Sequence, residues 1–218
     1  MINSNERKLA LSGWLQHHHK SEYSSPLKLQ KFLFFYETIS KIEGDDSDLS
    51  NLKGYQRGPV FSQVWGDYTK EKALFNEQSI KAYTEKSELV NNARALISSF
   101  IVRVFNESEL SKITHELNIW KSKEPRIMGG EQQVPLSESD LDASDQSFIG
   151  TLKSAFSTQF IEECEVLEIG EKNFIISKEE AKGLSAEHYD TLYKLADKQG
   201  LENPVYLELD EEGALLVD

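Results

Sequence analysis

Three adjacent histidines, a short run of aspartates, a single cysteine and a lone helical histidine are the residues of this 218-residue chain that invite a chemical reading. His17, His18 and His19 offer imidazoles, the commonest metal-binding side chains. On a helix, however, consecutive residues point about 100° apart, and helical metal sites use pairs three or four positions apart. The triplet therefore reads as a solvated helix end. Asp45, Asp46 and Asp48 suggest oxygen ligands for calcium. An EF-hand loop needs glycine sixth and glutamate twelfth, and counted from Asp45 those places hold Ser50 and Gln56. Cys164 lies among Glu162, Glu163 and Glu165, an anionic setting that disfavours the thiolate a nucleophile needs. His115 has neither a nucleophile nor a second metal ligand nearby, so it reads with Trp120 as a structural corner. The sequence has no Gly-rich phosphate loop, no zinc spacing of Cys and His, no G-x-S-x-G and no H-E-x-x-H. These residues give no reason to expect an enzyme, a cofactor or a metal centre.

The elements that must position these residues start with 26–43. Ser25 can cap a helix, Pro26 suits its first turn and Gly44 is a natural stop. Leu29, Phe32, Leu33, Tyr36 and Ile39 recur at helical spacing, and Phe34 and Phe35 fall off that face. A helix apolar nearly all round belongs inside a protein. A membrane span needs roughly 20 apolar residues, and this shorter run is flanked by Lys28, Lys31 and Lys41.

Around this central helix, Leu9, Leu11, Trp14 and Leu15 give a first helix its apolar side. Leu52 to Tyr55 reads as extended, Arg57 to Val60 as a turn, and Ser62 as the cap of a helix with Val64, Trp65, Tyr68 and Ala73 inward. The pattern from Glu85 to Phe105 predicts the longest helix, and Asn106 caps the next, through Leu110, Ile113 and Leu117. Pro125 to Leu136 reads as a loop; the acidic stretch 137–145 starts a helix with Phe148, Leu152 and Phe156 inward. From about Phe160 the period changes to two strands, Cys164–Ile169 and Asn173–Ser177. A helix capped by Ser185 follows, with Tyr189, Leu192, Leu195 and Ala196 inward, and then a hairpin around Asp210–Gly213. The fold expected is mainly α: a helical domain over 1–160 and a small α+β subdomain over 161–218.

Charge divides the chain in a similar way. Residues 1–130 carry 18 Lys and Arg against 16 Asp and Glu, and residues 131–218 carry 6 against 21; the net charges are +2 and −15, giving −13 for the chain. An acidic surface repels nucleic acid and anionic membranes and attracts basic partners. It also aids solubility in its own right. With one cysteine, no signal peptide at its start and no apolar span, the chain is expected in the cytoplasm. Arg57, Phe61 and Trp65 are residue types that anchor interfaces, although Trp65 also suits packing.

Three segments carry a family resemblance. Leu29-Gln30-Lys31-Phe32-Leu33-Phe34-Phe35 resembles the KLQKLLYF signature of the Panacea domain, the SocA-like antitoxin family of bacteria and phages. Arg57-Gly58-Pro59-Val60, with Val64 and Tyr68, resembles its GPV segment, and Leu110 to His115, with Trp120-Lys121, resembles its third block. The resemblance covers roughly residues 8–125, in the family's order. It implies a helical Panacea-like domain acting as an antitoxin. Such a protein neutralises a cognate toxin by direct binding, or as an adaptor delivers it to a protease. The residues then singled out for partner contact are Arg57, Phe61, Trp65, Asp210, Glu211 and Glu212, facing a basic toxin. The alternative is an acidic prophage protein that mimics nucleic acid and blocks a nucleic-acid-binding host protein.

Overall fold

The structure, a computed structural model, describes residues 1–198 and 200–217. Helices α1 (Glu6–His18), α2 (Lys20–Ser24) and α3 (Pro26–Ile42) lead to a hairpin of β1 (Leu52–Tyr55) and β2 (Gly58–Phe61). Then come α4 (Ser62–Lys70), α5 (Lys72–Glu85), α6 (Asn92–Val104), α7 (Glu107–Glu116), α8 (Asn118–Lys121) and α9 (Glu124–Met128). Strand β3 (Val134–Pro135), α10 (Ala143–Ala155) and α11 (Thr158–Glu163) complete the helical body. The C-terminal unit contains β4 (Cys164–Ile169), β5 (Lys172–Ser177), α12 (Lys178–Ala181), α13 (Ala186–Ala196), β6 (Val205–Leu209) and β7 (Leu215–Val217). The chain is thus mainly helical with a minor α+β part, and among the described residues no helix is long and apolar enough to cross a membrane.

Helix α3 is the axis of the body. Ser25 Oγ accepts from the Lys28 backbone N–H (3.2 Å), Pro26 opens the helix, and Gly44, at φ +76°, turns the chain just beyond it. Phe32, Leu33, Phe34 and Phe35 are all fully buried because α1, α6, α10 and β2 pack around different sides of the helix. Trp14 of α1 stacks parallel on Phe32, with ring centres 5.9 Å apart. The long pattern from Glu85 is broken in the structure. Helix α5 ends at Glu85, Ser87–Leu89 form a 3-10 turn, and α6 starts after Asn91, whose side chain accepts from Arg94 N. Ser62 is the first residue of α4 and not its cap; its hydroxyl donates to the Asn51 carbonyl. Ala73 and Phe148 turn outward, while Phe75 and Ile149 are buried in their helices. Helix α5 lies along α1 at a close approach: a Cβ on Gly13 would sit 2.0 Å from the Ser79 carbonyl oxygen.

The aspartate loop serves the fold. Glu37, on α3 with a fully buried carboxylate, accepts from Arg7 Nε (2.8 Å), Lys8 Nζ (2.5 Å) and the Asp48 backbone N–H (2.9 Å). Arg94 binds both Glu43 and Asp45, the latter at 2.5 Å. Breaking the buried Lys8–Glu37 pair from one side costs about 3–5 kcal/mol, because the remaining charge is stranded. Among the described residues no group of three or more His, Cys, Asp and Glu is arranged to hold a metal ion. His17 and His18 are exposed at the end of α1, and His19 is half-buried against Trp14, where burial pushes its pKa down to about 4.

The second sheet has the order β4-β5-β6-β7, with β5 and β6 parallel and the other pairs antiparallel. Its two faces serve two cores. Val166 and Ile175, opposite one another on β4 and β5, join the helical core beside Phe100, Phe156 and Phe160. Phe174, Ile176, Ile169, Leu192, Val205 and Leu207 form a separate small core. The Asn173 amide donates to the Val104 carbonyl (3.0 Å), and Asn203 donates to Glu109, tying the sheet to α6 and α7. Phe160 and Ile161 belong with the helical core, so secondary structure changes at Cys164 while packing continues into the sheet.

Candidate functional site

Within the segment 57–60, Arg57 stays in the turn while Gly58, Pro59 and Val60 belong to strand β2. Tyr55 pairs with Gly58, so β1 and β2 are joined by the two residues Gln56 and Arg57. Strand β2 is an edge of the three-stranded sheet β2-β1-β3. An open strand edge is a row of unpaired backbone groups. Two neighbouring side chains of α3 close it. Gln30 Oε1 accepts from the Phe61 backbone N–H (2.8 Å), and Lys31 Nζ donates to the Arg57 carbonyl (2.8 Å). Between them Pro59 has no N–H to satisfy.

The third segment locks the same hairpin from the other side. Lys31 Nζ also donates to Thr114 Oγ1 of α7 (2.8 Å). Gly58, at φ +104°, leaves room for that contact: a Cβ there would fall 2.1 Å from Lys31 Nζ and 2.6 Å from Thr114 Oγ1. Glycine adopts this left-handed conformation without the clash an L side chain would suffer. His115 stacks on Trp120 with ring centres 3.8 Å apart, and Trp120 Nε1 donates to the Tyr55 carbonyl (2.9 Å). Burial drives the Lys31 pKa well below the ordinary lysine value, and the Arg57 charge adds to this. His115 is likewise lowered, first by burial and then by Lys31. Leu29, Phe32, Leu33 and Val60 complete the packing beneath.

Beside this lock lies a cavity of about 580 Å³, open on one side between the hairpin, α3 and the loop 130–133. Its apolar walls are Leu27, Tyr55, Pro59, Val60, Trp65 and Ile127, with the Tyr55 and Trp65 rings 6.4 Å apart and tilted. Burial raises the Tyr55 phenol pKa. Gln30 also lines the cavity; it is buried, and its Nε2 has no hydrogen-bond partner among the described residues. The charges at the rim are matched: Arg57 pairs with Glu107 (2.8 Å), and Glu131 pairs with Arg126 (2.5 Å). The segment read as a loop supplies part of this wall, because α9 places Ile127, while β3 pairs with β1 and holds the turn at 130–133.

The residues expected to meet a partner are not gathered on one face of equal character. Arg57 is exposed and Trp65 half-buried, both at the cavity. Phe61 is a correction: at 2% exposure it lies beneath Lys8, whose ammonium sits 4.4 Å from its ring, and it presents nothing to a partner. Asp210, Glu211 and Glu212 are exposed on the β6–β7 hairpin. Asp210 Oδ1 accepts from the backbone N–H groups of Glu212 and Ala214 (2.9 and 2.7 Å), so this carboxylate also shapes the turn. Cys164 is half-buried, and burial followed by the Glu163 charge raises its thiol pKa, the opposite of an activated nucleophile. The cavity itself escaped the reading of the sequence. Its one early signal is a Gln-Lys pair inside an otherwise apolar helix.

In comparisons with known proteins, no family model, no curated protein and no solved structure matches the chain.

Proposed function

We propose that this protein is an antitoxin of the Panacea type, a non-catalytic cytoplasmic protein that neutralises a cognate toxin by direct contact or delivers it to a protease. The observation that carries the reading is the meeting of the three resembling segments at one place. Gln30 and Lys31, Gly58 and Pro59, and Thr114, His115 and Trp120 all secure one hairpin. The resemblance thereby gains a common physical purpose, the fixed presentation of Arg57 and of the cavity beside it. The acidic C-terminal unit supports a basic toxin as the partner, since charge of one sign speeds encounter with the other.

Co-expression with the neighbouring open reading frame tests this. The neighbour alone should arrest growth, and the pair should grow and co-purify, or the neighbour should be depleted in a protease-dependent way. A harmless neighbour, or a toxic one that this chain neither binds nor depletes, would remove the antitoxin reading. Capture of a nucleic-acid-binding host protein in its place would favour the nucleic-acid mimic.

A further inference from the structure

The cavity beside the hairpin carries a more specific assignment, which rests on the partner-binding reading above. We propose that it receives an uncharged, extended segment of the partner polypeptide, with an apolar side chain packed against the Tyr55 and Trp65 rings and a main-chain carbonyl accepting from Gln30 Nε2.

Four observations point to this occupant. The volume, about 580 Å³, is in the range of cavities that hold a ligand or several residues of a peptide. The walls around Tyr55 and Trp65 are mostly apolar, so burial of an aliphatic or aromatic group there is favourable. The free buried donor at Gln30 needs an acceptor, since a buried polar group left unpaired has lost its water without gaining a partner. Finally, Gln56, Gln132 and Gln133 join Gln30 around the cavity. Primary amides offer a donor and an acceptor without charge, which is the chemistry that matches a peptide bond.

Electrostatics separates this occupant from an anion. Arg57 already faces Glu107, and Glu131 faces Arg126. Lys31 donates to a carbonyl and a hydroxyl, and burial weakens its hold on a proton. A charged ligand would leave its hydration for a site without a free counter-charge. Addition of a partner strand to β2 is also closed, because Gln30 and Lys31 occupy that edge. The partner must enter by side-chain insertion.

The test uses the full chain and short probes. Acetylated and amidated pentapeptides with a central Leu, Phe or Asp among Gly and Ser would be titrated to about millimolar concentration while backbone amide resonances are followed. Phenylacetate serves as the anionic probe. The Leu and Phe peptides should shift Gly54, Tyr55, Gln56 and Gly130, and the Asp peptide and phenylacetate should not. Gln30→Glu keeps an acceptor for the Phe61 N–H but removes the free donor, and should weaken peptide binding about tenfold or more. Trp65→Ala, at a half-buried wall, should do the same and covers the case in which Gln30→Glu unfolds. Shifts elsewhere, no shifts at all, or tighter binding of the Asp peptide or phenylacetate would overturn the assignment. If a toxin binds and both variants still bind it, the cavity proposal fails while the antitoxin reading stands. If the peptides bind and no toxin exists, the reverse holds.

Discussion

In the helical body, Glu37 gives both carboxylate oxygens to Arg7, Lys8 and the Asp48 backbone, and Arg94 is held between Glu43 and Asp45. In the C-terminal unit, Glu211 and Glu212 stand in solvent on a hairpin, and an ion pair there, Lys182–Glu179, lies at the surface. The cores differ in the same sense. The body encloses four consecutive aromatic and aliphatic residues of α3, whereas the C-terminal unit closes around six buried side chains. The buried charges of the body are consumed by structure. Glu211 and Glu212 of the C-terminal unit are left free to act at a distance, and the repulsion within so acidic a unit weighs on a small core.

The sharpest way to break this contrast is to remove the C-terminal unit. Ending the chain after Glu163 deletes Val166 and Ile175 from the helical core, a loss on the order of 3–6 kcal/mol by buried area. The helical body should still fold, with a lower melting temperature. Trp14, Trp65 and Trp120 all lie in the body, so tryptophan fluorescence reports it alone. Collapse of that signal in the truncated chain would mean that the two cores are one cooperative unit.

Within the body, Phe32→Ala should cost about 3–5 kcal/mol, since its ring is fully buried against Trp14. Leu192→Ala in the small core should instead loosen the C-terminal unit and leave the tryptophan signal near its native melting point. Chemical unfolding followed by fluorescence and by far-UV dichroism would separate the two. An unchanged melting temperature for Phe32→Ala would remove α3 from the centre of the fold.

Acid should also divide the two regions. Burial pushes Asp48, Asp67 and Glu43 upward. Hydrogen bonds outweigh it: from Ser50 and the Lys8 charge at Asp48, from Ser4 and Asn3 at Asp67, and from Lys153 and Arg94 at Glu43. All three end below their ordinary values, so the unfolded chain binds more protons than the native one. Their contribution is complete above the unfolded carboxylate range near pH 4 and is lost as pH falls through the depressed native values. The body should therefore weaken from about pH 4 downward, while protonation relieves repulsion in the C-terminal unit. A fluorescence-detected unfolding midpoint that stayed constant from pH 5 to about pH 2 would contradict this role for the three carboxylates.

How much of this was legible in the sequence depended on how local the cause was. Ser25, Pro26 and Gly44 act within one turn of α3, and Asn106 with Glu109 forms a capping box, so these helix ends were readable from the residues themselves. The change from helical spacing to the short strands β4 and β5 around Gly170-Glu171-Lys172, and the Ser185 cap, were legible for the same reason. Helix α5 was not, because it fully buries only Phe75 and Ser79, and Ser79, at the close approach to Gly13 of α1, is a polar residue with no apolar signature. The edge closure by Gln30 and Lys31 joins residues about 30 positions apart, and the cavity is enclosed by segments from Pro26 to Gln133. Spacing along one helix carries no information about such partners.

The smallest effect expected is kinetic and belongs to the free charges. If the acidic hairpin steers a basic partner, Glu211→Lys with Glu212→Lys should slow association about tenfold and leave dissociation nearly unchanged. Raising salt to physiological strength shortens the screening length to about 8 Å and should reduce the difference between native and variant chains. Asp210 needs a different substitution, because its Oδ1 holds the turn through Glu212 N and Ala214 N. Asp210→Lys would remove those bonds, each worth about 1 kcal/mol, and confuse shape with charge. Asp210→Asn keeps the accepting oxygen and removes only the charge, so it should slow association slightly with the hairpin intact. Binding indifferent to salt and to all three changes would return the whole interface to the cavity and to Arg57, and would leave the acidic surface as a means of solubility.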